Sequence, residues 1–441
     1  MSVVEWLLLL LVAAIALGLV ARFLGRKWVP AGVVVFAAAI ALLWYVDGPS
    51  NPSTPSGNAD SPALVTSADC AQCHAAQYES WRRTYHRTMT RDATPEYAKG
   101  DFANAVYNYQ GLPTRLTREG DQFYMETPDA AWAMHRARGG TSPPRFAKLQ
   151  VDRFVGSHWI QECFHRSVDG TFMRLPVLYH IVEKRWVHSN GAFLTPDTED
   201  FWGQCRGTPW NETCLYCHNT EPSKNPIRGS RGEFFGFQTT TRELGIACAA
   251  CHGPGDQHVR LQSGKPAGEN DVVQPANLSV ARRDEICARC HGALVPKPAY
   301  WDPITHRDPF IPGKELTQFN SFFWSEAEQA TLAGRRPKSD RPLKPEANDG
   351  RFWGDGTPLT TALEYNGMAL SACYQKGNGQ LSCLSCHTMH GDDPNFMLKP
   401  RMNTNDACYQ CHAEYRTRLA EHTRHAADSP GSLCYNCHMP H

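Results

Sequence analysis

The stretch CYNCHMPH, residues 434–441, sets two cysteines three apart, a histidine directly after the second, and another histidine three residues on. CLSCHTMH at 383–390 repeats the arrangement. Working outward from these two, Cys-x-x-Cys-His occurs seven times, on Cys70/Cys73/His74, Cys214/Cys217/His218, Cys248/Cys251/His252, Cys287/Cys290/His291, Cys383/Cys386/His387, Cys408/Cys411/His412 and Cys434/Cys437/His438. This spacing is the signature of c-type haem attachment. Two thiols add to the haem vinyl groups, and the adjoining imidazole becomes the proximal ligand of the iron. Zinc ribbons pair such cysteines without needing histidine at the next position every time, and disulfides have no reason to select it. The pattern predicts seven covalently bound c-type haems.

The balance of 44 basic and 44 acidic residues gives no net charge, which argues against nucleic acid as the main partner. Of 17 cysteines, Cys163, Cys205 and Cys373 lie outside the motifs. In an oxidising compartment two of them could pair, and the sequence does not choose which.

Two apolar runs, Val3–Val20 and Val29–Val46, flank Arg22, Arg26 and Lys27. Each has the length of a short membrane span, and the basic loop between them favours the cytoplasmic side. Residues 1–46 are therefore expected to form a transmembrane helical hairpin in the cytoplasmic membrane, with the haem domain on the periplasmic or extracytoplasmic side. A Pro/Ser-rich linker follows at 47–63. Residues 64–441 form the expected heptahaem domain. Within it, 75–213 has no attachment motif, and GDQFYMETPD, TFMRLPVLYHIV and KRWVHS read as strand-like. Elsewhere the expectation is a mainly α, loop-rich fold. SEAEQATLAG reads as a helix, and CHAEYRTRLAEHTRHAA as one continuous helix.

Nineteen histidines less seven proximal ones leave twelve for the far side of the irons. Context favours His86, His258, His390, His425 and His441, then His158 and His188. His135, His165, His180, His306 and His422 rank lower, as do Met89, Met389 and Met439. A histidine three residues past a proximal one cannot reach the far face of its own haem, because the porphyrin intervenes. His390 and His441 are thus expected to serve neighbouring haems.

The segments DCAQCH…SWRRTYHRTMT, GSHWIQECF, ELGIACAACHGPGDQHV, EYNGMALSACYQKGNGQLSCLSCHTMH and CYNCHMPH resemble multihaem cytochromes c with a cytochrome c-552/c-554-type domain, in the superfamily of cytochrome c-554, hydroxylamine oxidoreductase and pentahaem nitrite reductase. The resemblance implies a helical, loop-rich fold with closely stacked haems, electron transfer as the shared activity, and His86 and His158 as sixth ligands. It also marks a departure: no Cys-x-x-Cys-Lys is present, so the lysine-ligated catalytic haem of the nitrite reductases is missing. The expected function is electron relay on the outer membrane face, between redox partner proteins or a membrane electron donor. The rival is a reductase or oxidase of small nitrogen or sulfur compounds at a five-coordinate haem. Quinol oxidation at the hairpin is a third possibility.

Overall fold

The computed structural model describes Arg22 and residues 64–193, 200–324, 351–353, 357–359 and 362–439. Both apolar runs, apart from Arg22 between them, lie outside these residues, as do the linker, SEAEQATLAG and His441.

The stretch between the first and second attachment motifs folds as sheet. Strands β2 (Ala103–Tyr109), β3 (Leu112–Glu119), β4 (Gln122–Pro128) and β5 (Phe146–Val151) form an antiparallel meander. Its first turn is Gln110–Gly111, both at positive φ, as a two-residue hairpin with the strands' own twist requires. Leu112, Thr114 and Leu116 on β3, and Phe123, Met125 and Thr127 on β4, are buried in strict alternation. A second sheet runs β1 (Thr90–Asp92), β6 (Arg153–Val155), β7 (Ile160–Arg166), β9 (Val177–His180) and β10 (Arg185–His188), with β8 (Phe172–Arg174) also paired to β7. Between the sheets lies the largest apolar cluster, including Phe102, Phe123, Trp132, Phe154, Trp186 and Trp202. The three strand-like stretches of the sequence form β4, β8 with β9, and β10.

Two expectations are corrected. The fold is not mainly α: besides these sheets of four and six strands there are three two-stranded ones, and the longest described helix is the twelve-residue Val280–His291. Apart from the motif at the end of Val280–His291, the attachment motifs supply only short turns of helix, whereas the insert has enough alternating apolar residues to build a two-sheet core. The expected placement in the cytoplasmic membrane is likewise not carried forward. Among the described residues no helix is long and apolar enough to cross a membrane.

Candidate haem-binding site

All seven motifs adopt one local geometry, a tight turn closed by a backbone hydrogen bond from the histidine to the first cysteine. That bond is 2.9 Å for His74 to Cys70, 3.0 Å for His218 to Cys214, 3.0 Å for His387 to Cys383 and 2.9 Å for His412 to Cys408. His252, His291 and His438 end helices that contain their own cysteines. At i,i+3 on one turn the two thiols face the same side.

The fourteen attachment cysteines differ in cover. Cys73, Cys411 and Cys437 are exposed, whereas the other eleven are buried or half-buried. Each of the three is the second cysteine of its motif, and the first ones, Cys70, Cys408 and Cys434, are half-buried. These belong to the first motif and the last two in chain order, and the motifs on Cys214, Cys248, Cys287 and Cys383 keep both thiols at least half-covered.

Hydrogen bonds orient three of the proximal rings. His252 Nδ1 lies 2.9 Å from the Val273 carbonyl and His387 Nδ1 lies 3.0 Å from the Phe396 carbonyl. His291 Nδ1 lies 2.9 Å from Glu364 Oε2. With Nδ1 donating to these acceptors, Nε2 is the nitrogen left for iron.

Two imidazoles bound to opposite faces of one metal, at about 2 Å per metal–nitrogen bond, have ring centres roughly 6 Å apart. Four pairs in the structure meet that spacing. His74 and His258 lie at 6.4 Å, His291 and His86 at 6.1 Å, His252 and His390 at 6.1 Å, and His438 and His422 at 6.1 Å. Each pair joins a proximal histidine to one distant in sequence or beyond its own motif. The distance is too long for direct stacking and suits an intervening iron, so the residues fit the haems that the motifs imply. Burial, reinforced by nearby His291, His387 and His218, holds His86 at a pKa of about 4. Burial likewise lowers His218 to about 4. Both rings are thus neutral near pH 7, the form that binds a metal.

His86, His258 and His390 therefore face proximal rings. His422, ranked low on sequence, faces His438, whereas His425 packs its ring near Gly431. The expected continuous helix breaks here: a 3-10 turn, Ala413–Arg416, precedes a short helix, Leu419–Thr423, whose end is Arg424 in the left-handed region at φ 59°. That reversal takes His425 off the face carrying His422. His158 stacks on Tyr85 at 4.1 Å and on Trp159 at 4.5 Å, with Phe396 at 5.4 Å. His188 is fully buried in the insert, parallel to Tyr109 at 3.8 Å. His135, His165 and His180 make local contacts with Ser142, Gln150 and Glu183, and the His306 carbonyl accepts from the Tyr216 hydroxyl. Met439 is exposed. Cys163 and Cys205 are buried, Cys373 is exposed, and all three are free thiols. Sequence reasoning also missed Glu364, which lies 73 positions from the histidine it contacts, and no local signal marks it.

Residues 69–110 match the family of cytochrome c554 and c-prime, and residues 376–417 match the doubled CXXCH motif. The multihaem cytochrome MtrA of Shewanella baltica (strain OS185) is 24% identical over 222 residues, 48% of this chain. The chain is a multihaem c-type cytochrome. Its attachment motifs and both family matches support covalently bound c-type haem. The matched region spans 55% of MtrA's length. The crystal structure of the outer cell wall cytochrome OcwA aligns with 80% of this chain and 67% of its own, at 16% identity and a TM-score of 0.42.

Proposed function

We propose that this cytochrome carries seven haems, one on each attachment motif, and relays electrons between redox partner proteins without a substrate site of its own. The observation that supports this reading is the recurrence of one attachment turn at seven places, combined with four imidazole pairs at 6.1–6.4 Å. Haem iron, when bound, supplies one-electron ferric/ferrous chemistry, its potential set by ligands, burial and charge. The chain's own contribution is to hold and tune. His258, His86, His390 and His422 would complete the coordination opposite His74, His291, His252 and His438. Opposite His218, His387 and His412, the proposed sixth ligands are His158, His425 and His441, since His188 is committed to the insert core. The exposed thiols Cys73, Cys411 and Cys437 fit attachment at the surface, where a partner protein can approach. Intact mass of the purified protein tests the count: seven haem additions are expected, and six or fewer would refute it.

A second reading has one observation in its favour. His218 is deeply buried, and the two imidazoles that act on it electrostatically, His86 and His291, already face each other. A cavity of about 510 Å³, lined in part by Pro209, Glu212, Arg206 and Asp169, adjoins the segment leading into Cys214. An open axial position there would permit reduction or oxidation of a small nitrogen or sulfur compound. Cyanide added to the oxidised protein separates the two: conversion of a high-spin signal favours the enzyme, and an unchanged low-spin spectrum favours the relay.

A further inference from the structure

The residue three positions before the first cysteine of a motif recurs in one role. Ser67 precedes Cys70 by three, and its Oγ accepts a hydrogen bond from the backbone N–H of Cys248 at 3.3 Å. Asp284 precedes Cys287 by three, and its Oδ1 accepts from the N–H of Cys383 at 3.1 Å. Asn405 precedes Cys408 by three, and its Oδ1 accepts from the N–H of Cys434 at 2.8 Å. Each donor is the first cysteine of another motif.

A second contact strengthens each junction. Ser67 also donates from Oγ to Glu243 at 3.0 Å, Asp284 accepts from Ser382 Oγ at 2.7 Å, and Asn405 Nδ2 donates to the Ser432 carbonyl at 2.7 Å. At two of the junctions the helical turns also pack together, Ser67–Ala71 against Cys248–His252 and Val280–His291 against Cys383–Cys386. Ser67 and Asp284 are buried to 2% and 0% exposure. At that burial a hydrogen bond is costly to leave unmade, so the junction fixes the relative placement of the two turns.

The motif at Cys214 is the informative exception. Its equivalent residue, Asn211, is fully buried, but its Oδ1 accepts from the N–H of Phe172 in β8 at 2.8 Å. Here the same device holds the insert instead of a second motif.

We infer that Ser67, Asp284 and Asn405 are positioning residues that build six of the attachment motifs into three docked haem dyads, on Cys70/Cys73 with Cys248/Cys251, Cys287/Cys290 with Cys383/Cys386, and Cys408/Cys411 with Cys434/Cys437. The motif on Cys214/Cys217 stands outside this scheme, bound to the insert by Asn211. It lies against the middle dyad where Leu215–His218 packs on Val280–His291. The inference rests on the seven-haem reading and adds which haems are partners. It gives the relay a paired order that chain order does not show, since the first motif docks with the third.

The test is the Soret circular dichroism of the holoprotein, in which closely held haems couple and produce a bisignate band. Asp284→Ala should keep seven haem additions by mass yet lose the share of the couplet due to one dyad. Asp284→Asn, which retains the acceptor oxygen, should restore it. Asn211→Ala should leave the couplet intact. An unchanged couplet in Asp284→Ala, or an equal loss in Asn211→Ala, overturns the inference. If Asp284→Ala does not accumulate, Asn405→Ala at the less buried junction decides by the same criteria. Fewer than seven additions in the wild type would instead refute the haem count, a separate result.

Discussion

At the scale of single residues, two histidines that look alike in sequence part company in the fold. His422 faces His438 at 6.1 Å with the planes 12° apart, while His425 lies beyond the left-handed Arg424. Replacing His422 by alanine should open one iron and add a high-spin component to the electron paramagnetic resonance spectrum. His422→Ala without that component would remove it from the ligand set. His188 makes a different prediction. Burial holds its pKa at about 4, below the ~6.5 of an exposed histidine. The unfolded chain therefore takes up a proton that the folded one refuses, and stability falls as pH drops from about 6.5 to about 4. His188→Gln should flatten that acid limb in thermal unfolding, by up to ~3 kcal/mol at its lower end, while leaving the haem spectrum unchanged. A new high-spin signal in His188→Gln would instead make it a ligand.

At the scale of elements, helix Val280–His291 joins several parts of the haem region. Asp284 reaches Ser382 and Cys383, Glu285 accepts from the Leu316 N–H at 3.1 Å, Arg289 pairs with Asp308 at 2.6 Å, and His291 meets Glu364. The Arg289–Asp308 pair is nearly buried, at 8% and 5% side-chain exposure. Asp308→Ala leaves a buried guanidinium unpaired and should cost about 3–5 kcal/mol. A change under 1 kcal/mol in chemical denaturation would contradict this. The same helix carries the one proximal ring whose pair crosses steeply, His291 against His86 at 81°, whereas the other three pairs lie within 27°. Crossed imidazoles leave the two iron dπ orbitals close in energy. One low-spin signal should therefore be far more anisotropic than the rest, and should vanish in His86→Ala.

These elements also show what was legible before the fold was known. The attachment turns could be read directly, because two thiols and an imidazole are local chemistry within five residues. So could β4 and β10, through their alternation. The unequal cover over the thiols could not, because the exposure of Cys73, Cys411 and Cys437 depends on which elements pack beside each turn. Of the rings that face a proximal histidine, His390 and His258 stood close after a motif and His86 in a segment shared with the resembling family, so each had a cue in the sequence. His422 carried none, because its role depends on a backbone reversal two residues later. Glu364 and Asp308 depend on contacts across long stretches of chain, and the mainly α expectation, which the family resemblance implied, failed because the strands of the insert and the short two-stranded sheets outweigh it.

At the scale of the whole molecule, apolar burial is divided unevenly. The insert has a large cluster of its own, with Leu116, Met125 and Trp202 at or below 1% exposure. The two motifs nearest the central helix have only small clusters around Ile286, Phe310 and Leu316 and around Ala293, Phe352 and Leu363. From Ala372 to Met439, a stretch with three attachment motifs, the described residues include no buried apolar side chain. Hydrophobic burial is the main favourable term in folding, so this last stretch depends on covalently bound haem for a core, and the insert does not. In a cell lacking the haem-attachment machinery, the chain should keep a protected region from about Ala103 to Cys205 and lose structure beyond Cys383. Hydrogen exchange on the haem-free protein checks this directly: slow amides are expected on β3, β4 and β7 and none in the last three motifs. Equal protection of both regions would show that the C-terminal segment folds on protein contacts alone.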